Sequence, residues 1–172
     1  MSALPAEDPM DHDSIASQDE THVQIRDLLA VATGALLYEQ PSLGLFEDHR
    51  PQRDRPSGDA WNGLETMCHV SALLVAQNAL DLSAADADQL LGAVDTALEQ
   101  QRMARTEDHT DSGVRTATWR DRTGVRLDVV IGVRVAVRAI SMPFLPGSMQ
   151  PLATTSPSSP ISPLTPPPRP LR

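Results

Sequence analysis

The stretch VRLDVVIGVRVAVRAI, residues 125–140, has an apolar side chain at every odd-numbered position, while arginine or aspartate occupies four of the even-numbered positions. A period of two is the pattern of a β-strand, whose successive side chains point to opposite faces. We therefore predict an extended region with one apolar face, which packs on the core, and one cationic face. The apolar positions are Val125, Leu127, Val129, Ile131, Val133, Val135, Val137 and Ala139.

Gly132 lies within this stretch, and the chain either reverses direction there or continues as one strand. A two-residue hairpin turn at Ile131 and Gly132 would exchange the odd and even faces, which the unbroken alternation disfavours. A three-residue connection would preserve the alternation, but it would place apolar side chains in a turn. We therefore predict one long strand that bends at Gly132.

A second strand is predicted immediately upstream, over Val114–Trp119, followed by a turn that contains Asp121, Thr123 and Gly124. If Trp119 lies opposite Val125, the connecting loop has five residues, which is a usual length for a hairpin. This register places the Trp119 ring on the same face as the odd-numbered apolar residues.

Two helices precede these strands. Ser17 and Glu20 have the spacing of a capping box, and the apolar residues behind them recur at helical intervals, which predicts a helix over Gln18–Tyr38. Ser83 and Asp86 begin a second amphipathic segment, predicted to run to about Ala104.

The region between the helices is less regular. Its prolines and glycines predict a loop over residues 41–60. Residues 61–80 are ambiguous: the first half favours a helix, whereas Val70–Ala76 also fits a short buried strand.

The two ends of the chain lack a periodic apolar pattern. We predict a disordered acidic segment over residues 1–16, a single domain over 17–142, and a disordered tail rich in proline, serine and threonine over 143–172. The fold class is α+β, with two or three helices packed on a small antiparallel sheet.

The composition limits the cellular location and the covalent cross-links that we expect. The net charge is −9 and all fourteen basic residues are arginine, which is typical of a high-GC bacterial genome. The acidic N-terminal segment differs from a secretory signal, and no apolar run is long enough to cross a bilayer, so we expect a cytoplasmic location without membrane contact. Cys68 is the only cysteine, which excludes an internal disulfide.

The sequence offers few candidates for catalysis or metal binding. The string Glu-Asp-His occurs at residues 47–49 and again at 107–109, but it lacks a diagnostic metal-ligand spacing. Cys68 precedes His69, and neighbouring side chains do not face one another, so an activated thiolate is disfavoured. We predict no catalytic residue, no metal site and no cofactor.

Six arginines of the strand region form the predicted binding surface, for an anionic partner. Three interpretations remain open: a solvated sheet face, a face covered by the chain's own acidic helices, or a docking surface for an anionic partner, for which a protein is the possible partner. Acidity and scarce aromatic residues argue against nucleic acid. The arginines are Arg115, Arg120, Arg122, Arg126, Arg134 and Arg138, of which Arg126, Arg134 and Arg138 are predicted to share one face.

The segment WRDRTGVRL, residues 119–127, leads through Val133–Val137 towards Ser141 and resembles the closing strands of actinobacterial LppA-like lipoprotein-type domains. The resemblance implies an α+β domain of uncharacterised activity, without established catalytic residues. This chain has no lipobox cysteine near its start, and Ile140, Ser141 and Met142 stand where such domains tend to end in Thr-Gly-Cys. Lipidation is therefore not implied.

The net charge is −9 over residues 1–49 and +6 over residues 112–172, so charge is segregated along the chain. We interpret the chain as a non-catalytic interaction or binding protein, because of this segregation and because reactive motifs are missing. One alternative is an enzyme of unrecognised type that uses scattered carboxylates and histidines. The other is a small acidic protein of the antitoxin or immunity type, which would need a protein partner.

Overall fold

The computed structural model describes residues 14–148 and the short strand Leu152–Ala153. Its helices are α1 (Gln18–Glu39) and α2 (Ala84–Glu99), and a 3-10 turn spans Pro41–Leu43. The strands are β1 (Ser14–Ile15), β2 (Phe46–Arg50), β3 (Arg53–Trp61), β4 (Leu64–Val70), β5 (Leu73–Ala76), β6 (Ala104–Asp111), β7 (Val114–Arg120), β8 (Arg126–Ile131), β9 (Val135–Ile140) and β10 (Leu152–Ala153).

The fold is α+β, as predicted, but the sheet dominates it. Strands β2 to β9 form one antiparallel sheet of eight strands, and its main path runs in the order β2-β5-β9-β8-β7-β6. Strand β3 pairs with β4, which also reaches β9. The prediction of a small sheet is therefore wrong, because the segments on both sides of α2 contribute edge strands that their polar sequences concealed.

Residues 46–76 form a long hairpin instead of the predicted loop and helix. Strands β2 and β3 run along β5 and β4, and the chain reverses through Asn62 and Gly63, whose φ angles of 50° and 79° suit a tight two-residue turn. Pro56 is tolerated because β3 is an edge strand, where a missing N–H donor leaves no partner unsatisfied. The expectation of a loop over 41–60, and of a helix in the first half of 61–80, is corrected accordingly.

The odd-numbered face of β7, β8 and β9 forms the core beneath the helices. Trp119, Leu127, Val129 and Val137 are fully buried there, in one cluster with apolar side chains of α1 and α2. Burying a Val or Leu side chain contributes about 1.5–3 kcal/mol. The shared face of Trp119 is confirmed, although its partner across the ladder is Leu127 and not Val125.

The predicted bent strand at Gly132 is wrong, and the three-residue connection is the observed one. Strand β8 ends at Ile131, which pairs with Val135 at the start of β9. Gly132, Val133 and Arg134 connect them, and the Val133 side chain is 80% exposed. A loop of three residues keeps the odd-numbered side chains of both strands on one face, so the alternation continues through a true reversal.

Both helices begin where the sequence predicts. The Ser17 hydroxyl accepts a hydrogen bond from the Glu20 N–H, and the Ser83 hydroxyl accepts one from that of Asp86, with the reciprocal bonds completing two capping boxes. Helix α2 ends at Glu99, earlier than predicted, because Arg102 has a positive φ of 56° that reverses the chain into β6.

The packed region extends past the predicted boundary at residue 142. Phe144 and Leu145 are buried, and Phe144 exchanges two backbone hydrogen bonds with Met67 of β4, at 2.8 and 2.9 Å. The start of the tail is therefore corrected towards the C-terminus. Most of the segments predicted to be disordered, residues 1–13 and 154–172, lie outside the described residues.

Two glycine substitutions should change stability in opposite directions. Gly113 follows Ser112 in the β6–β7 turn and has a φ of 80°, so Gly113→Ala should lower the free energy of unfolding by about 1 kcal/mol. Gly34 lies within α1, and no atom outside the helix backbone lies within 4 Å of the position that an added Cβ would take, so Gly34→Ala should raise the free energy of unfolding by about 0.5–1 kcal/mol. Urea unfolding measures both, and destabilisation by Gly34→Ala would contradict the assignment of α1.

Candidate functional site

Two histidines and one aspartate come together in the fold, one from α1 and one from each of two neighbouring strands. We call His22 of α1, Asp54 of β3 and His69 of β4 the His-Asp-His cluster. The Oδ1 atom of Asp54 lies 2.7 Å from Nδ1 of His69 and 3.2 Å from Nε2 of His22. The side chains of His22, Asp54 and His69 are 36%, 25% and 5% exposed, so the cluster opens to solvent on the His22 side.

The local fold explains this convergence. Asp54 and His69 are cross-strand partners in the β3–β4 ladder, so their side chains project from the same face of the sheet. The backbone N–H of His69 donates to the Ser141 hydroxyl at 2.8 Å, and the Ser141 N–H donates to the His69 carbonyl at 2.9 Å. Helix α1 packs against this face and brings His22 over the pair.

Hydrogen bonding sets the charge of the carboxyl group. Burial alone raises the pKa of Asp54, but the hydrogen bonds and charges of His69 and His22 outweigh it, so the net pKa lies below the ordinary 3.8. Because an ionised carboxylate can only accept, both imidazole nitrogens that face it carry a hydrogen. Gln18 Nε2 donates to the second oxygen, Oδ2, at 3.2 Å.

Aromatic contacts fix the ring of His22. Its centroid lies 4.1 Å from that of His69, with the planes inclined by 42°, and 5.8 Å from that of Phe144 in an edge-to-face arrangement. Such geometries favour one orientation of the ring. Phe144 therefore supports the cluster although it comes from the segment predicted as tail.

A cleft of about 450 Å³ runs along α1 from the His-Asp-His cluster, and we call it the α1 cleft. His22 and His69 line its polar end, and further along it is bordered by Leu29 and Ala30 of α1 and by Leu74 of β5. The remaining polar residues of the lining are Arg26, Thr33, Asp48, Gln52 and Ser71.

The cluster offers the ligand set of a metal site, because one ligand atom from each of its three residues lies within 4.8 Å of the other two. It offers less for nucleophilic chemistry. Ser71 donates its hydroxyl hydrogen to the Ala72 carbonyl and accepts from the Ala139 N–H, so it is engaged on both sides. Cys68 is buried and projects from the face of β4 opposite to His69.

The two Glu-Asp-His strings lie far apart. Residues 47–49 belong to β2 and residues 107–109 to β6, which are the two ends of the main strand path. They cannot share one ion. Instead, Asp108 accepts hydrogen bonds from Arg105 and Arg115, and so joins β6 to β7.

Four of the six predicted binding arginines pair with the chain's own carboxylates. Arg115 contacts Asp88 of α2 and Asp108 of β6, while Arg120 lies 3.3 Å from Glu107. The contact between Arg115 and Asp88 of α2 agrees with the interpretation in which an acidic helix of the chain covers the cationic residues.

The remaining arginines divide between the sheet and its loops. Arg126 and Arg138 share a face, where both pair with the buried Asp128 at 2.7 and 3.2 Å. Arg134 lies in the β8–β9 loop and Arg122 in the β7–β8 turn. The predicted common face of three arginines is therefore wrong for Arg134, because the strand reverses there.

The sequence interpretation missed the whole His-Asp-His cluster. Its members are separated along the chain, and the loop predicted over residues 41–60 contains Asp54. The available signal was Asn62-Gly63, a strong hairpin dipeptide, which folds the segment before it onto the segment after it. Nothing comparable in the sequence indicates which residue of α1 faces that hairpin.

Comparison with known proteins gives one distant relationship, in structure. No protein-family model matches the chain, and no curated protein matches it significantly. The fold is similar to the crystal structure of a DUF4853 family protein from Actinomyces odontolyticus, with a TM-score of 0.52 and 12% identity over 79% of this chain and 73% of that one. This likeness shows the fold alone, and the resemblance to LppA-like domains stays a prediction.

Neither helix within residues 14–148 has a stretch that is both long and apolar enough to cross a membrane.

Loss of the Asp108 ion pairs should change how the free energy of unfolding depends on pH. Hydrogen bonds from Arg115 lower the pKa of Asp108 to about 2, against the opposing effect of burial and with help from Arg105. Its contribution to stability is therefore present above the ordinary value of 3.8 and is lost as the pH falls towards 2. After allowance for solvent screening, Asp108→Asn should cost about 1 kcal/mol at pH 7 and flatten the decline in stability at low pH.

Denaturant unfolding between pH 7 and pH 2 measures this effect. Asp48→Asn makes the same change in the other Glu-Asp-His string, where the side chain is exposed on β2, and should alter stability by less than about 0.5 kcal/mol. Equal pH profiles for the Asp108→Asn variant and the unmodified chain would disprove the role of Asp108.

Proposed function

We propose that this protein is a non-catalytic binding protein whose ligand site is the α1 cleft. The observation that carries the proposal is that His22 and His69, both hydrogen-bonded to Asp54, line one end of a concave surface. Small-molecule sites commonly have volumes of about 300–1,000 Å³ and combine apolar walls with a few convergent polar groups. The α1 cleft, at about 450 Å³, has such a volume, and its walls combine apolar residues with a larger share of polar ones.

The chemistry of the cleft favours binding over catalysis. A serine or cysteine nucleophile needs a base within hydrogen-bond reach of its hydroxyl or thiol. Ser71 is engaged by the backbone, and Cys68 is on the other face of β4. The ring nitrogens of His22 and His69 that face Asp54 donate to one carboxylate, which holds the rings in place. Fixed, convergent polar groups of this kind suit ligand recognition.

The lining also indicates the character of the ligand. The His-Asp-His cluster would hold a polar end, while Leu29, Ala30 and Leu74 would border a less polar body. Because Arg26, Asp48 and Gln52 also line the cleft, a small organic molecule with a polar terminus and further polar groups along its body has these features. The arginine surface is a weaker candidate, because four of its six side chains are paired with carboxylates of the same chain.

Obstruction of the apolar part of the cleft tests this function. Ala30 is exposed on α1 and lines the cleft, so Ala30→Trp should fill it without disturbing the core. The probe is a defined mixture of amino acids, short carboxylates and phosphorylated sugars, with binding to the full chain observed by saturation-transfer NMR. We expect at least one compound to bind, and we expect Ala30→Trp to weaken its binding by about tenfold or more, equivalent to about 1.4 kcal/mol.

Gln24→Trp is the matched control, because Gln24 is exposed on α1 outside the lining of this cleft. It should leave binding unchanged. Chemical conversion of a bound compound by the unmodified chain would replace the proposal by the enzymatic alternative. Absence of binding across the mixture, or equal loss in both variants, would also overturn it.

A further inference from the structure

The His-Asp-His cluster has the dimensions of a mononuclear metal site. Donor atoms that each lie about 2.1 Å from one ion are about 3.0–3.4 Å apart in octahedral or tetrahedral geometry. Asp54 Oδ1 is 3.2 Å from His22 Nε2 and 2.7 Å from His69 Nδ1, and no pair among the three ligand atoms exceeds 4.8 Å. Small side-chain rotations would suffice to place all three around an ion.

The donor types select the class of ion. Two imidazoles and one carboxylate bind zinc and other divalent first-row transition metals, and such three-ligand sites retain open coordination positions. Magnesium and calcium prefer sites built entirely from oxygen. The cluster is therefore better suited to Zn²⁺, Co²⁺ or Fe²⁺ than to the hard cations.

Surrounding contacts would hold the ligands in position. Gln18 Nε2 donates to Asp54 Oδ2, which leaves Oδ1 directed at the two imidazoles. The hydrogen bonds between Ser141 and the backbone of His69 fix β4, and Phe144 packs edge-on against the ring of His22. Outer contacts of this kind commonly change metal affinity by about 10- to 100-fold.

From these observations we propose that His22, Asp54 and His69 bind one divalent transition-metal cation at the polar end of the α1 cleft. The inference rests on the proposed function and identifies its polar anchor. Each imidazole coordinates through the nitrogen that now faces Asp54, and the hydrogen on that nitrogen moves to the other ring nitrogen, so the ring remains neutral. The open positions then face the cleft, where the polar end of a small ligand or water completes the coordination.

Calorimetric titration of the chelator-treated full chain with Zn²⁺ tests the site. We expect one ion per chain, and we expect His22→Gln to reduce the affinity by at least about 100-fold. His22 is partly exposed, so this variant should still fold. Asp54→Asn, which keeps the side-chain shape, should also weaken binding, and Co²⁺ should give the visible absorption of a bound ion only where Zn²⁺ binds.

The exposed histidines provide matched controls. His49→Gln and His109→Gln remove imidazoles from β2 and β6 and should leave the zinc affinity within about twofold, which is below 0.5 kcal/mol. Equal losses in these controls and in His22→Gln would show surface binding and overturn the site. A flat titration of the unmodified chain would overturn it as well, and the cluster would then be a set of hydrogen bonds that joins α1 to the hairpin.

Failure of this inference can be distinguished from failure of the proposed function. Ala30 lies eight residues after His22, about 12 Å along the helix, so Ala30→Trp should leave zinc affinity unchanged. Zinc binding that survives Ala30→Trp supports the metal site. Binding of an organic probe without zinc binding removes the metal inference and leaves the cleft as the ligand site.

Discussion

Burial of one face of β7, β8 and β9 beneath two helices is the constraint on which this structure depends. Trp119, Leu127 and Val129 on that face are fully buried, whereas the opposite face carries charged groups. A register shift of one residue would exchange the two sets and place arginines in the core. Arg138 of β9 lies directly opposite Asp128 of β8, so the ion pair between them has its geometry only in the observed register. Packing and electrostatics therefore select the same arrangement of strands.

The same packing creates the His-Asp-His cluster. Trp119 donates through Nε1 to Asp95 of α2 at 2.8 Å, which fixes that helix over the sheet, and α1 packs beside α2. The fully buried Ile25 and Leu36 hold α1 against the core, and His22, one turn before Ile25, then lies above the β3–β4 ladder. The position of His22 is thus a consequence of core packing, and the hydrogen bonds to Asp54 complete an approach already imposed on the helix.

The sequence predicts the central strands and both helix starts because these segments have a clear period and strong capping residues. It conceals β2, β3 and β6, whose burial is slight along most of their length. An edge strand need not alternate strictly, since neither of its faces must be wholly apolar. Asn62-Gly63 and Ser112-Gly113 were the informative signals, because each forms a two-residue reversal with positive φ. As hairpin turns, these dipeptides indicate that β3 folds onto β4 and that β6 folds onto β7.

Two of the three members of the cluster, Asp54 and His69, follow from the Asn62-Gly63 turn signal, despite an irregular ladder. Trp61 pairs with Leu64 beside the turn, and a regular ladder from there would place Asp54 opposite Ser71. The irregularity between Pro56 and Ala60 shifts the register by two residues, so Asp54 lies opposite His69. A shift of two preserves the face, and the Asp54 carboxylate would have been placed near His69 by either register. His22 differs, because its contact depends on how α1 crosses the sheet, which is a property of the packed core as a whole.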